Sequence, residues 1–141
     1  MAAANIDPRA PHAKREFRVA GLSEPVSHYT DVVTANGFAF ISGMVAMDAS
    51  GAVVGHGDVK AQARQALQNL GLCLDAVGAT PKDVCKVTVY LRNVEQRRDV
   101  NIARQEFFGD SRPASALVEI SGLILPELLV EIDAIALLPR Q

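Results

Sequence analysis

Few side chains in this sequence can do chemistry unaided. The two cysteines, Cys73 and Cys85, show neither a CxxC spacing nor a Cys/His cluster of the kind that holds zinc. They read as two buried, reduced thiols. Ser42, Ser115 and Ser121 have no visible His/Asp partners, so nucleophilic serine chemistry has no support. Gly55-His56-Gly57 is too short to cradle a phosphate and does not open a helix in the required way. His56 and His12 read as exposed. Glu131 is different, because it sits in an apolar run, Leu129-Val130-Glu131-Ile132. A carboxyl group in a partly dry cleft can act as acid or base. No metal or organic cofactor is implied by any of these residues.

The elements that must position Glu131 follow from pattern. Residues 27–34 (SHYTDVVT) and 38–45 (FAFISGMV) are rich in β-branched and aromatic residues and predict two strands. Asn36-Gly37 between them suits a type I′ turn, so the pair predicts a hairpin. Residues 48–51 (DASG) predict a further turn, with a short extended piece at 52–54. Asp58 can cap a helix running to Val77. Its apolar positions Val59, Ala63, Ala66, Leu67, Leu70, Leu74 and Val77 form one stripe at helical period. Gly78 and Pro81 then stop it. Residues 83–91 (DVCKVTVYL) alternate, with Cys85, Val87, Val89 and Leu91 facing one way and Lys86, Thr88 and Tyr90 the other. A second helix is predicted over 95–108, with Val100, Ala103, Phe107 and Phe108 as its apolar face. Strands are predicted at 114–120 and 128–138.

The order is β-β-α-β-α-β-β. It predicts a two-layer α+β domain with both helices on one face of a mixed sheet. The other face would carry residues such as Val32, Phe40 or Val89 with nothing left in the chain to cover them, and oligomerisation is the simplest physical remedy. The 141 residues suit one domain. Residues 1–16 read as a flexible tail without the apolar core of a secretory signal, and 17–141 as the domain. A net charge of −2 and a pI near 5.9 offer no electrostatic footprint for nucleic acid. No run approaches a membrane span. A cytoplasmic protein is the expectation.

Several segments then acquire a common meaning. Val26-Ser27-His28-Tyr29, Ile41-Ser42-Gly43, residues 62–70 (QARQALQNL), 84–91 (VCKVTVYL), Val100-Asn101 through Phe107-Phe108, 112–119 (RPASALVE) and 130–136 (VEIDAIA) occur in that order. In order and spacing the chain resembles the Rid (YjgF-type) family of imine and enamine deaminases from about Pro25 to Leu138. The resemblance implies a chorismate-mutase-like fold. It also implies a homotrimer with a central barrel and small-molecule sites in the clefts between subunits.

The resemblance also assigns roles. Glu131 matches an acidic residue that positions or activates water. Tyr29, Ser42, Gly43 and Asn101 match positions around the ligand, although each also suits a structural reading: an interface aromatic, a bulge or a cap. The arginine that holds the substrate carboxylate in deaminating members is replaced by Ser115. A hydroxyl supplies one hydrogen bond and no charge, whereas a guanidinium grips a carboxylate with two. Arg112, three residues earlier, is a possible substitute, but an odd offset on a regular strand points it to the opposite face. Glu119 and Asp133 read as structural hydrogen-bonding groups. His28 faces away from Tyr29 on a regular strand. The implied activity is hydrolytic deamination of small enamines or imines, not specialised for 2-iminopropanoate. The alternatives are a 2-aminomuconate-type catabolic deaminase and a non-catalytic metabolite-binding trimer.

Overall fold

The computed structural model describes residues 13–140. Six strands form one mixed sheet in the order β1-β2-β3-β6-β4-β5: β1 is Arg15–Phe17, β2 Val32–Ala35, β3 Phe38–Val45, β4 Val84–Leu91, β5 Ala114–Glu119 and β6 Val130–Leu137. Two helices, α1 (Val59–Ala76) and α2 (Arg97–Phe108), pack against each other, and α1 packs on β3 and β6. All ladders are antiparallel except β4 with β5. This is the two-layer α+β arrangement predicted from the element order, with β1 added at one edge, and it agrees with the chorismate-mutase-like fold that the resemblance implied.

The proposed tail lies outside the described residues up to position 12, and its boundary at residue 17 falls inside β1, where Arg15 pairs with Thr34. The first long strand also starts later than predicted. Residues 26–31 are bends and loop, and only from Val32 does the chain pair with β3. The hairpin turn is as the dipeptide requires: Asn36 and Gly37 both have positive φ, 50° and 83°.

Helix α1 begins where Asp58 accepts a hydrogen bond from the Ala61 amide at 3.0 Å, a cap worth about 1 kcal/mol. It ends in a Schellman pattern: Gly78 N–H donates to Asp75 O and Ala79 N–H to Leu74 O, with Gly78 at φ 75°. Its predicted stripe is buried, and Leu67, Leu70 and Leu74 are almost fully removed from water. Burial of each is worth roughly 2 kcal/mol. Two polar residues share that buried face. Gln62 donates to Gly55 O and Glu127 O and accepts from Leu129 N–H, tying the loops before α1 and β6 together. Asn69 donates to Val45 O at 3.0 Å and Met47 O at 2.9 Å. Both are fully satisfied, as buried amides must be.

Two expectations about facing are corrected. Cys85 is exposed, not buried, because the β4–β6 register shifts between Val84 and Lys86. This irregularity breaks the alternation, so Val84 takes the inward position. Cys73 is buried as expected, and burial pushes its thiol up to about 12. Val32 and Val89 are completely buried in the main core and do not face the uncovered side. That face does exist, with Phe38, Phe40 and Leu137 exposed on paired strands β3 and β6. Among the described residues, no helix is long and apolar enough to cross a membrane.

Candidate functional site

The β3–β6 ladder is interrupted between Ile41 and Met44, and the interruption contains Ser42 and Gly43. Across from it stands Glu131, paired with Val45 on one side and Tyr90 on the other. Its side chain lies over Gly43. A Cβ built at position 43 would sit 2.5 Å from Glu131 Oε2 and 2.6 Å from its Cδ. Only glycine leaves room for the carboxylate in this position. The bulge that the sequence offered for Gly43 is present, and the space its missing side chain leaves is taken by Glu131.

A cleft of about 310 Å³ opens here, and Tyr29, Ser42, Gly43 and Glu131 all line it. Its outer wall is formed by Val26 and Ile124, each 60% exposed, and by Tyr29. Its inner wall includes Met44, Met47 and Asn69. The segment carrying Tyr29 is anchored on both sides of the following residue pair. Thr30 donates to Phe17 O, and the buried carboxylate of Asp31 accepts from Val19 N–H at 2.8 Å and from Arg18. Ser42 closes the arrangement by donating to Thr30 O at 2.6 Å and, through its amide, to Asp31 O. The Ser42 hydroxyl is therefore engaged with the backbone, and its part here is to hold the loop.

The Glu131 side chain has no hydrogen bond or ion pair among the described residues. Desolvation raises its pKa above the ordinary carboxylate value, and the negative charge of Asp133 adds to the effect. Asp133 accepts from the Tyr90 hydroxyl at 3.1 Å on the uncovered sheet face. Glu119 accepts from Val94 N–H at 3.0 Å. Both acids thus have the structural roles read from sequence.

The remaining predicted residues lie elsewhere. Ser115 is on β5 opposite Val87, which in turn pairs with Ala134 of β6. It is two strands across and three residues along from Glu131, roughly 10 Å in each direction. Asn101 and Arg112 line a second pocket of about 420 Å³, together with Arg104, Gln105, Ser111 and Pro113. Asn101 sits inside α2 rather than at its start. Arg112 precedes β5, in the loop after α2, so strand alternation does not decide its direction.

Arg104 was missed by the sequence reading. It lies on α2, and its Nη2 donates to Ser115 Oγ at 2.8 Å. The guanidinium is half-buried, and desolvation lowers its pKa. A signal was available: the segment Val100-Asn101 through Phe107-Phe108 resembles a VNxxYxxFF-type pattern, and Arg104 occupies its tyrosine position. One departure from the pattern touches the other. Among the described residues, no group of three or more His, Cys, Asp or Glu side chains could hold a metal ion.

A family model described as endoribonuclease L-PSP, the YjgF/Rid/RutC group, matches residues 21–138. The chain belongs to this family. A RutC family protein of Pyrococcus horikoshii is 39% identical over 113 residues, covering 80% of this chain and 89% of that one. A protein named 3-aminoacrylate deaminase RutC, from Acinetobacter baylyi, is 31% identical over 116 residues, covering 82% and 91%. Among solved structures, a Rid family protein of unknown function from Yersinia pestis is similar with a TM-score of 0.84 and 28% identity, over 89% of this chain and all of that one. The Rid resemblance drawn from scattered motifs is thus a family relationship across nearly the whole domain.

Proposed function

We propose that this Rid family member is a hydrolytic deaminase of small enamines or imines. The carrying observation is Glu131, a carboxyl group without a protein partner, held in a cleft by the missing side chain at Gly43 and raised in pKa by burial. The similarity to a protein named for 3-aminoacrylate deamination supports the same reading.

The chemistry requires little machinery. Protonation of the enamine carbon gives an iminium. Water adds to the C=N carbon, ammonia leaves from the resulting carbinolamine, and a carbonyl compound remains. For 3-aminoacrylate the products are ammonia and the corresponding 3-oxo acid. Glu131 in its neutral form can give the proton to carbon. As carboxylate it can then take one from the attacking water. A pKa above the ordinary value keeps both forms accessible closer to neutrality. Tyr29 lines the same cleft, so its ring and hydroxyl are available to a ligand there.

A homotrimer is part of the reading. Phe38, Phe40, Val118 and Leu137 stay exposed on the uncovered sheet, and burying such a face against copies of itself would remove it from water. It would also turn the open cleft beside Glu131 into an intersubunit one. An RNA-cleaving role is disfavoured by the net charge of −2.

The test is ammonia release from freshly generated 3-aminoacrylate and 2-aminoacrylate by the purified protein, with Glu131→Gln as the control. Wild type should accelerate release from at least one substrate, and the variant should not. Saturable binding with no acceleration of either would replace this reading with a non-catalytic binding trimer.

A further inference from the structure

We propose that the pocket between α2 and the loop 109–113 is an anion site, in which Arg104 grips the carboxylate of a small acid and Arg112 supplies a second positive charge. This goes beyond the deamination reading and stands apart from it, since it concerns where a charge is held and not what is done to the molecule that carries it.

The observations are local. Among the described residues, the only hydrogen bond from the Arg104 side chain goes to the neutral hydroxyl of Ser115. A guanidinium has five N–H donors, so most of them remain for a ligand. The group is half-buried, and a charge taken partly out of water without an opposite charge is unfavourable until an anion arrives. The nearest acid on the same helix is already committed: Glu106 accepts two hydrogen bonds from Arg64, at 2.7 and 2.9 Å. No carboxylate lines the pocket. Instead, Arg104 and Arg112 are joined there by the amides of Asn101 and Gln105 and the hydroxyl of Ser111. Arg112 has no ion pair or hydrogen bond among the described residues either. Two unmatched cations surrounded by neutral donors fit the planar, two-oxygen geometry of a carboxylate.

Ser115 has a defined part in this. At 2.8 Å from Nη2 it holds one corner of the guanidinium, and Arg104 keeps its other N–H groups for a ligand in the pocket it lines. It is a positioning residue, and the charge comes from the helix instead of the strand.

The probe is propanoate, with its neutral isostere propanamide, titrated into the full chain and followed by calorimetry and by amide NMR shifts. Wild type should bind propanoate saturably and at least about 10-fold more tightly than propanamide. Arg104→Gln should weaken propanoate by about 10-fold or more. Arg104→Lys, which keeps the charge but loses the fork, should fall between. Ser115→Ala should cost less than Arg104→Gln. Equal affinity for propanoate and propanamide, or an Arg104→Gln protein that melts normally and binds propanoate as wild type does, overturns the proposal. Tighter binding of inorganic phosphate than of propanoate would also overturn it as a carboxylate site. Because the readout is binding, its failure leaves the ammonia-release test of Glu131 untouched, and the reverse also holds.

Discussion

The molecule presents unmatched charges of opposite sign in two different places. In the cleft at the β3–β6 interruption, Glu131 is an acid with no cation. In the pocket beside α2, Arg104 and Arg112 are cations with no acid. Elsewhere some charges are paired, Arg64 with Glu106 and Arg18 with Asp31. At these two sites the charges stand apart, the acid on β6 and the cations on α2 and in the loop that follows it. An acid kept apart from cations retains a high proton affinity. A cation kept apart from acids retains its attraction for anions.

The contrast can be broken most severely at Glu131. Glu131→Gln keeps the shape and removes the proton transfer, and ammonia release should fall by about 100-fold or more. If it does not, the carboxyl group is only a wall of the cleft. The next largest effect concerns the frame. Asn69→Leu removes the side-chain donor to the carbonyls of Val45, which keeps the Met47 amide, and of Met47, which should cost about 2 kcal/mol in urea denaturation. Gly43→Ala should reduce the ammonia-release rate about 10-fold with little change in melting temperature, because the strand tolerates alanine and it is the Glu131 side chain, from Cγ outward, that must move. Unchanged activity there would mean that the position of Glu131 is not critical.

The subtlest test reads pH. Asp133 holds the Glu131 pKa up, after desolvation. Asp133→Asn should therefore shift the low-pH limb of the rate profile downward. The raised pKa also has a stability consequence. The native state keeps its proton to higher pH than the unfolded chain does, whose Glu titrates near 4.5. As pH rises from 4.5 through the native pKa, wild type should lose stability relative to Glu131→Gln, and level off above it. A flat difference in denaturation midpoints across that window would show that the carboxylate is as well solvated as in the unfolded chain.

Much of this architecture was legible in the sequence. The α1 stripe, its Asp58 cap, the Gly78 stop and the Asn36-Gly37 turn all act through local chemistry that neighbouring residues specify. Glu131 was legible because it matches the acidic residue of the family the motifs resemble, and its apolar neighbours on the strand agreed with that. What failed was anything set by register. The irregularity at Val84/Lys86 turns Cys85 outward, and no local signal in residues 83–91 reveals a slip decided by the partner strand β6. Val32 and Val89 were assigned to the bare face because alternation gives two sides but not which side the helices cover. Arg104 was passed over because helical periodicity treats it as one more polar position. Its meaning depends on a hydroxyl on β5, 11 residues away in sequence.

The amide of Asn69 has a last implication. By holding two carbonyls that bracket Ala46, it fastens one side of the cleft to the central helix. The opposite side, from Val26 to Tyr29 and at Ile124, rests on solvent-facing loops. Changes of taste for different small molecules should therefore accumulate on the loop side, where sequence can drift without unsettling the interior, while the fastened side stays as it is.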